Sequence, residues 1–206
     1  MTSEYLVKML GEISAIMQVN KDNLIALDSV VGDGDLGLTM TKGFAVAHET
    51  AAKGEADAGR MLYNAGKAMS SAAPSTMGTL MALGLMQGGK VLKGKTELTN
   101  DDIADFAAAY LEAVMTRGKA KLGEKTFLDG FHPGVVALKE ALAAGERLAE
   151  GTAKAAVAAE EGFKAAKTML AVHGKPAVKG EASRNMDDPG ACVAMLIWQA
   201  IAKASA

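Results

Sequence analysis

Leu27–Met40 reads L-D-S-V-V-G-D-G-D-L-G-L-T-M, and the organisation of the chain follows from it. Three carboxylates, Asp28, Asp33 and Asp35, fall within eight residues, with Gly32, Gly34 and Gly37 among and after them. Glycines let the backbone approach a ligand closely. Leu38 is expected to open an amphipathic helix, so the loop ends at a helix N-terminus, whose free N–H groups favour anions. Clustered carboxylates beside an anion site repel it unless a cation lies between them. Mg²⁺, shared by a few carboxylates and by substrate phosphates, resolves the conflict. A plain Gly/Asp turn is the competing reading. A calcium EF-hand loop is excluded by register, because the twelfth position, where a bidentate Glu belongs, is Phe44.

The chain has 206 residues, half of them hydrophobic and only 4% aromatic, with 13 Met and one Cys. Abundant Ala, Leu and Met with few β-branched runs favours closely packed helices around a sizeable core. A net charge of −2 supplies no basic field for nucleic acid. Cys192 cannot form an internal disulfide and lies in an apolar run, as a buried thiol would. The N-terminus lacks a signal peptide's charged start and unbroken apolar segment, and the longest apolar run, Ala191–Ala202, is too short to span a bilayer. A cytoplasmic protein that binds neither membrane nor nucleic acid is expected.

Apolar residues at helical spacing run from Tyr5 to Met17, and a second piece ends near Asp28 after a turn at Gln18–Lys21. Further helices are expected over Leu38–Ala51, Ala56–Ala72, Met77–Leu92 and from the Thr99–Asp102 capping run. Pro74 breaks the pattern between two of them. After a long polar loop, Arg117–His132, a seventh helix is expected from Pro133. An eighth is expected from Gly151-Thr152 to about Val172, and a last one from Pro189 after a loop at His173–Asp188. No strand or repeat is evident, so the fold class is all-α.

In an up-and-down bundle alternate connections lie at the same end. The acidic loop, the Ala73–Thr76 break, Arg117–His132 and His173–Asp188 share one parity and should form one rim. Each brings what a nucleotide site needs. Asp28, Asp33 and Asp35 can hold Mg²⁺, and Ser75 and Thr76 lie at a helix start that can receive phosphate oxygens. Arg117, Lys119, Lys121, Lys125, Lys175 and Arg184 can offset phosphate charge, Thr126 adds a hydroxyl, and Asp188-Pro189-Gly190 starts a helix. Phosphoryl transfer rests on positioning and charge neutralisation, and this inventory suits it. Gly89–Thr96 matches the P-loop pattern G-x-x-x-x-G-K-[ST], but a helix rather than a strand precedes it and it falls at the opposite end.

G-D-G-D-L-G-L-T-M, S-S-A-A-P-S-T-M-G-T, R-G-K-A-K-L-G-E-K-T-F-L-D and D-D-P-G-A occur in an order and spacing that resembles the nucleotide-binding (L) subunit of dihydroxyacetone kinase. The resemblance covers nearly the whole chain. It implies one nucleotide-binding domain over residues 1–206, built as an up-and-down barrel of about eight antiparallel helices with ADP or ATP at one end. It implies two Mg²⁺ ions on Asp28, Asp33 and Asp35. Nucleotide contacts are implied at Leu36, Gly37, Leu38, Thr39, Ser75, Thr76, Gly118, Phe127, Lys175, Asp188, Pro189 and Gly190. The implied partners are a K-type subunit that binds dihydroxyacetone and a phosphotransferase-system donor protein (the M-type subunit), with a homodimer also open. The chain departs from the family pattern at Leu36, where a His is usual, in a phosphate loop shortened to A-A-P-S-T, and at Lys175 in place of an Arg. The alternatives are a nucleotide-sensing regulator without turnover and a fatty-acid-kinase-like nucleotide domain.

Overall fold

A computed structural model describes all residues, 1–206. Nine α-helices and one 3-10 helix make up the fold: α1 Ser3–Val19, α2 Lys21–Val31, α3 Leu36–Ala51, α4 Ala58–Ala72, α5 Thr76–Val91, α6 Asn100–Gly118, α7 Phe127–Ala143, α8 Leu148–Ala166, the 3-10 segment Lys175–Ser183, and α9 Pro189–Ser205. The only extended pairing is a single bridge between Thr2 and Glu97. The expected turn at Gln18–Lys21 does not reverse the chain. Asn20 N–H donates to Ile16 O at 3.0 Å and Leu24 N–H to Asn20 O at 2.9 Å, so one residue, Asn20, both closes α1 and opens α2 at a break in the ladder. α1 and α2 therefore form one kinked rod, and α3 packs along both. Eight rods result. Successive ones pack side by side, and α9 closes the ring on α1.

Small residues set the close crossings. An added Cβ at Gly59 of α4 would lie 2.5 Å from Gly89 O of α5, and one at Gly66 would lie 2.6 Å from Ala82 O. Inside the ring a single cluster of 46 buried residues runs from Leu6 to Ala204. An aromatic row crosses it: Phe127 and Phe131 stack at 5.0 Å, and Phe131 meets Trp198 at 5.1 Å.

α4 begins at Ala58 rather than Ala56 and α5 at Thr76 rather than Met77, each behind a side-chain cap, Asp57 and Ser75, and at three further starts the cap explains the difference. α3 begins at Leu36 rather than Leu38, because the Asp28 carboxylate accepts from the N–H groups of Asp35 and Leu36. α7 begins at Phe127, six residues before Pro133. Thr126 and Asp129 form a reciprocal capping box there, which satisfies the first free donors. Pro133 thus sits inside α7. The helix tolerates it because the Asp129 carbonyl, deprived of its usual donor, lies where α8 passes with Gly162; an added Cβ there would sit 2.4 Å from that oxygen. α8 starts at Leu148, where Arg147 and Glu150 pair, and stops at Ala166 rather than near Val172.

The P-loop lookalike is an ordinary turn at the far end. Lys95 pairs with Asp102 of the α6 capping box, and Gly94 N–H donates to Asp57 Oδ2 at 3.1 Å. No helix is long and apolar enough to cross a membrane.

Candidate functional site

Helices α3, α5, α7 and α9 all begin at the same end of the barrel, and their first residues line one cleft of about 540 Å³. Each start has its own cap. Ser75 Oγ accepts from Gly78 N at 3.0 Å, Thr126 Oγ1 from Leu128 N at 3.2 Å, and Asp188 Oδ2 from Ala191 N at 2.7 Å. Asp28 does this for α3, leaving the N–H groups of Gly37 and Leu38 without a protein partner. Four helix N-termini aimed into one cavity give a positive field from backbone dipoles alone.

The acidic loop forms one flank. Gly34 takes φ +73°, a left-handed turn that an L side chain resists, and this turns Asp33 and Asp35 toward Asp28. One carboxylate oxygen from each of the three lies within 4.8 Å of the others. A Mg–O bond of ~2.1 Å sets opposed ligands ~4.2 Å apart, so this spacing is close to what a divalent cation needs. The donors are hard oxygens, which suit Mg²⁺. A positive charge already stands in that field: the Lys175 ammonium pairs with Asp33. The hydrogen bond to Lys175 holds the Asp33 carboxyl below its ordinary range. Asp33, with Asp35 and Asp28 behind it, raises the Lys175 ammonium in turn. The residues present therefore fit a divalent cation.

Between the helix starts lies an apolar wall of Met77, Leu80, Val114, Ala120, Phe127, Leu128 and Pro189, which suits a flat ring. The sequence-expected residues Asp28, Asp33, Asp35, Leu36, Ser75, Thr76, Gly118, Phe127, Lys175, Asp188, Pro189 and Gly190 all line the cleft. Gly37, Leu38 and Thr39 do not. Gly37 faces α2, where an added Cβ would lie 2.2 Å from Lys21 O, and the Leu38 side chain is exposed. Their place is behind Leu36, in the first turn of α3.

The cations divide. Arg117 and Lys119 line an outer groove between α5 and α6 instead of the cleft. Lys121 is exposed, and Arg184 bonds Thr168 O and Glu181. Lys125 is buried and donates to three backbone carbonyls. Of these cations only Lys125 and Lys175 line the cleft, and of the two only Lys175 is exposed, paired there with Asp33. Sequence reasoning missed the apolar wall, since Leu80 and Val114 read as ordinary core positions, and it missed His173, which bonds Glu124 at 2.6 Å across the rim.

Two titratable groups at the start of α9 are perturbed by burial. Asp188 is pushed up to about 7, chiefly by desolvation, against the opposing pull of Ala191 N–H and Lys125. Burial pushes the Cys192 thiol up to about 11, with Asp188 and Asp187 adding to it, so it rests as an inert thiol.

Known proteins share this architecture. The DAK2 domain family matches residues 30–203. The ADP-binding subunit DhaL of the PEP-dependent dihydroxyacetone kinase of Escherichia coli (strain K12) is 28% identical over 201 residues, 97% of this chain and 96% of that one. The ADP-binding subunit DhaL of the PTS-dependent dihydroxyacetone kinase of Lactococcus lactis is 30% identical, covering 92% and 91% of the two chains. An L-erythrulose kinase of Pectobacterium atrosepticum is 30% identical over 189 residues, but the match spans only 32% of its length. Among solved structures, the dihydroxyacetone kinase of C. freundii in complex with AMP-PNP and Mg²⁺ superposes with a TM-score of 0.72 at 19% identity, over 96% of this chain and 33% of that one. The chain thus spans nearly all of the subunit relatives and about a third of the longer kinases. It belongs to the DAK2 domain family.

Proposed function

We propose that this chain is the nucleotide-binding, phosphoryl-transferring subunit of a dihydroxyacetone kinase or a closely related small keto-sugar kinase, acting in the cytoplasm. The observation that carries the reading is the meeting of four helix N-termini with three carboxylates on one cleft. A donor set of this kind suits a phosphate chain that arrives with its own divalent cations. The subunit relatives are named as ADP-binding, and the neighbouring structure holds AMP-PNP and Mg²⁺. The continuous 46-residue core supports residues 1–206 acting as one unit.

In this reading Asp28, Asp33 and Asp35 would hold Mg²⁺, proposed as two ions. Bound there, the metal would neutralise the phosphate oxygens and the charge that develops on them during transfer. Phosphate oxygens rest on the backbone N–H groups at the starts of α3, α5 and α9, beside Ser75 and Thr76. The base lies against Leu80, Val114 and Phe127. Lys175, on the segment that spans the rim, moves from Asp33 to the phosphates and shields them from water. No side chain of this chain is assigned as acid, base or nucleophile, because phosphoryl transfer asks the protein chiefly for alignment and charge. The acceptor hydroxyl is presented by a separate K-type subunit. The names of the subunit relatives, PEP-dependent and PTS-dependent, support an M-type phosphotransferase-system protein that regenerates the bound nucleotide.

The test is calorimetry of ADP with Mg²⁺ and with EDTA, alongside mass spectrometry of the protein as purified. Tight binding that requires Mg²⁺ is expected. Equal affinity in EDTA would refute the metal bridge, and no ADP binding at all would refute the reading as a whole.

A further inference from the structure

Lys125 borders the cleft, but its ammonium is committed to the protein's own backbone. Its residue is 2% exposed and its backbone is left-handed, with φ 58°. A non-glycine residue in that region carries strain, which persists only where the surroundings enforce it. Here the side chain supplies the reason. The ammonium donates to Ala166 O at 2.9 Å, to Lys167 O at 2.8 Å and to Met186 O at 2.7 Å. A lysine has three donors, so none remains for a phosphate.

The three carbonyls are not neighbours in sequence. Ala166 ends α8 and Lys167 caps it, where carbonyls that have left the helical ladder and the negative pole of the helix favour a cation. Met186 lies just before α9. Between them runs the strap that carries His173, Gly174 and Lys175 over the cleft. Lesser contacts join the two root segments beside Lys125. Asn185 N–H donates to Lys167 O at 2.9 Å, Ala171 N–H to Ser183 Oγ at 3.1 Å, and Lys167 pairs with Asp187 at 3.1 Å. At its tip the strap is tied through the exposed Lys175–Asp33 pair, the His173–Glu124 contact and one backbone bond from Val172 to Glu124 O at 3.3 Å. Buried charge-assisted bonds outlast exposed pairs, so the root is firm and the tip is free to exchange partners.

We infer that Lys125 is a positioning residue. By tying off both ends of the strap it holds Lys175 and His173 over the cleft and so sets how long a bound nucleotide stays. This rests on the nucleotide-binding reading above. Lys125 touches no nucleotide in this scheme, and it acts through the strap.

The experiment compares wild type with Lys125→Met, which abolishes all three bonds, and Lys125→Gln, whose amide keeps some of them. ADP release in Mg²⁺ is timed by stopped flow, Mn²⁺ binding without nucleotide is measured by electron paramagnetic resonance, and amide hydrogen exchange is mapped along the chain. Both variants should stay helical and bind Mn²⁺ within about twofold of wild type. Lys125→Met should release ADP about tenfold faster or more, with Lys125→Gln between the two. Exchange should rise over residues 168–187 and stay unchanged in α3–α6. Three outcomes overturn the inference: unchanged release and exchange, exchange that rises throughout with loss of Mn²⁺ binding, or failure of both variants to fold. If wild type itself holds no ADP, the nucleotide reading fails instead, and the exchange map still decides whether Lys125 anchors the strap.

Discussion

The ammonium of Lys175, on the strap before α9, lies against the carboxylate of Asp33, on the loop between α2 and α3. Asp35 and Asp28 reinforce the attraction. The lysine thus occupies the field in which a metal ion would sit, and the two compete. Both side chains are 56% exposed, and exposed pairs are worth ~0–1 kcal/mol. Lys175→Met should therefore bind Mn²⁺ alone more tightly, by about fivefold at most, and bind Mg-ADP more weakly. Calorimetry with each ligand checks this. Weaker binding of Mn²⁺ alone would show that Lys175 supports the carboxylates rather than competing for them.

Asp33→Asn keeps size and turn-forming ability but removes one of three charges available to a metal. The variant should fold normally, as judged by circular dichroism. Phosphate transfer to an acceptor-loaded K-type subunit should fall by about a hundredfold or more, since aligned charges at the reacting group are typically worth ~3 kcal/mol. Turnover near wild type in a folded variant would reduce the loop to a simple turn.

Asp188 gives stability a pH dependence of unusual sign. Its carboxyl is raised from 3.8 to about 7 by burial, in a setting that also contains Lys125, Asp129, Asp187 and Cys192. The folded state holds a proton that the unfolded chain has already released. This contribution is complete below about pH 4 and is lost as pH rises through about 7, with a slope of at most ~1.4 kcal/mol per unit. Asp188→Asn cannot ionise and still caps α9. Urea unfolding at about pH 5 and about pH 8 should show wild type losing more stability than the variant. Parallel behaviour would place the proton elsewhere.

Lys95→Ala addresses the P-loop lookalike. Lys95 is partly exposed and pairs with Asp102 at the end of the barrel away from the cleft. Because the Asp102 carboxylate is buried and keeps only its Thr99 bonds, the loss should lower basal stability by about 1–3 kcal/mol. The stabilisation by Mg-ADP at ~100-fold above its dissociation constant, about 2.7 kcal/mol, should survive intact. Thermal denaturation with and without Mg-ADP separates the two effects.

Gly134→Ala tests how α7 and α9 meet. An added Cβ would lie 2.3 Å from Trp198 Nε1, which donates to Phe131 O at 3.0 Å. Overpacking of this kind costs ~1–3 kcal/mol, and losing a buried bond adds to it. Chemical denaturation should show at least this loss, whereas Gly145→Ala, with open space around its Cβ but φ 80°, carries only the local cost of that turn.

Much of this protein is local and is therefore legible along the chain. The 3.6-residue period of Tyr5 to Met17 or of Ile103 to Val114 defines a buried face without reference to any partner. Counting the resulting helices puts Asp33, Ser75, Lys175 and Asp188 at one end, because alternate short connections in a bundle must lie together, and all four line the cleft. What the tertiary structure decided depends on contacts between segments distant in sequence. Pro133 reads as a helix start until Thr126 and Asp129 close a capping box that starts the helix six residues earlier, at Phe127, and Gly162 of α8 makes room at the Asp129 carbonyl. Lys125 reads as one more cation for phosphate, yet its donors are taken by carbonyls 41, 42 and 61 residues away. A hydrogen bond at such separation leaves no periodic trace in the sequence, since it is made only once the helices have packed.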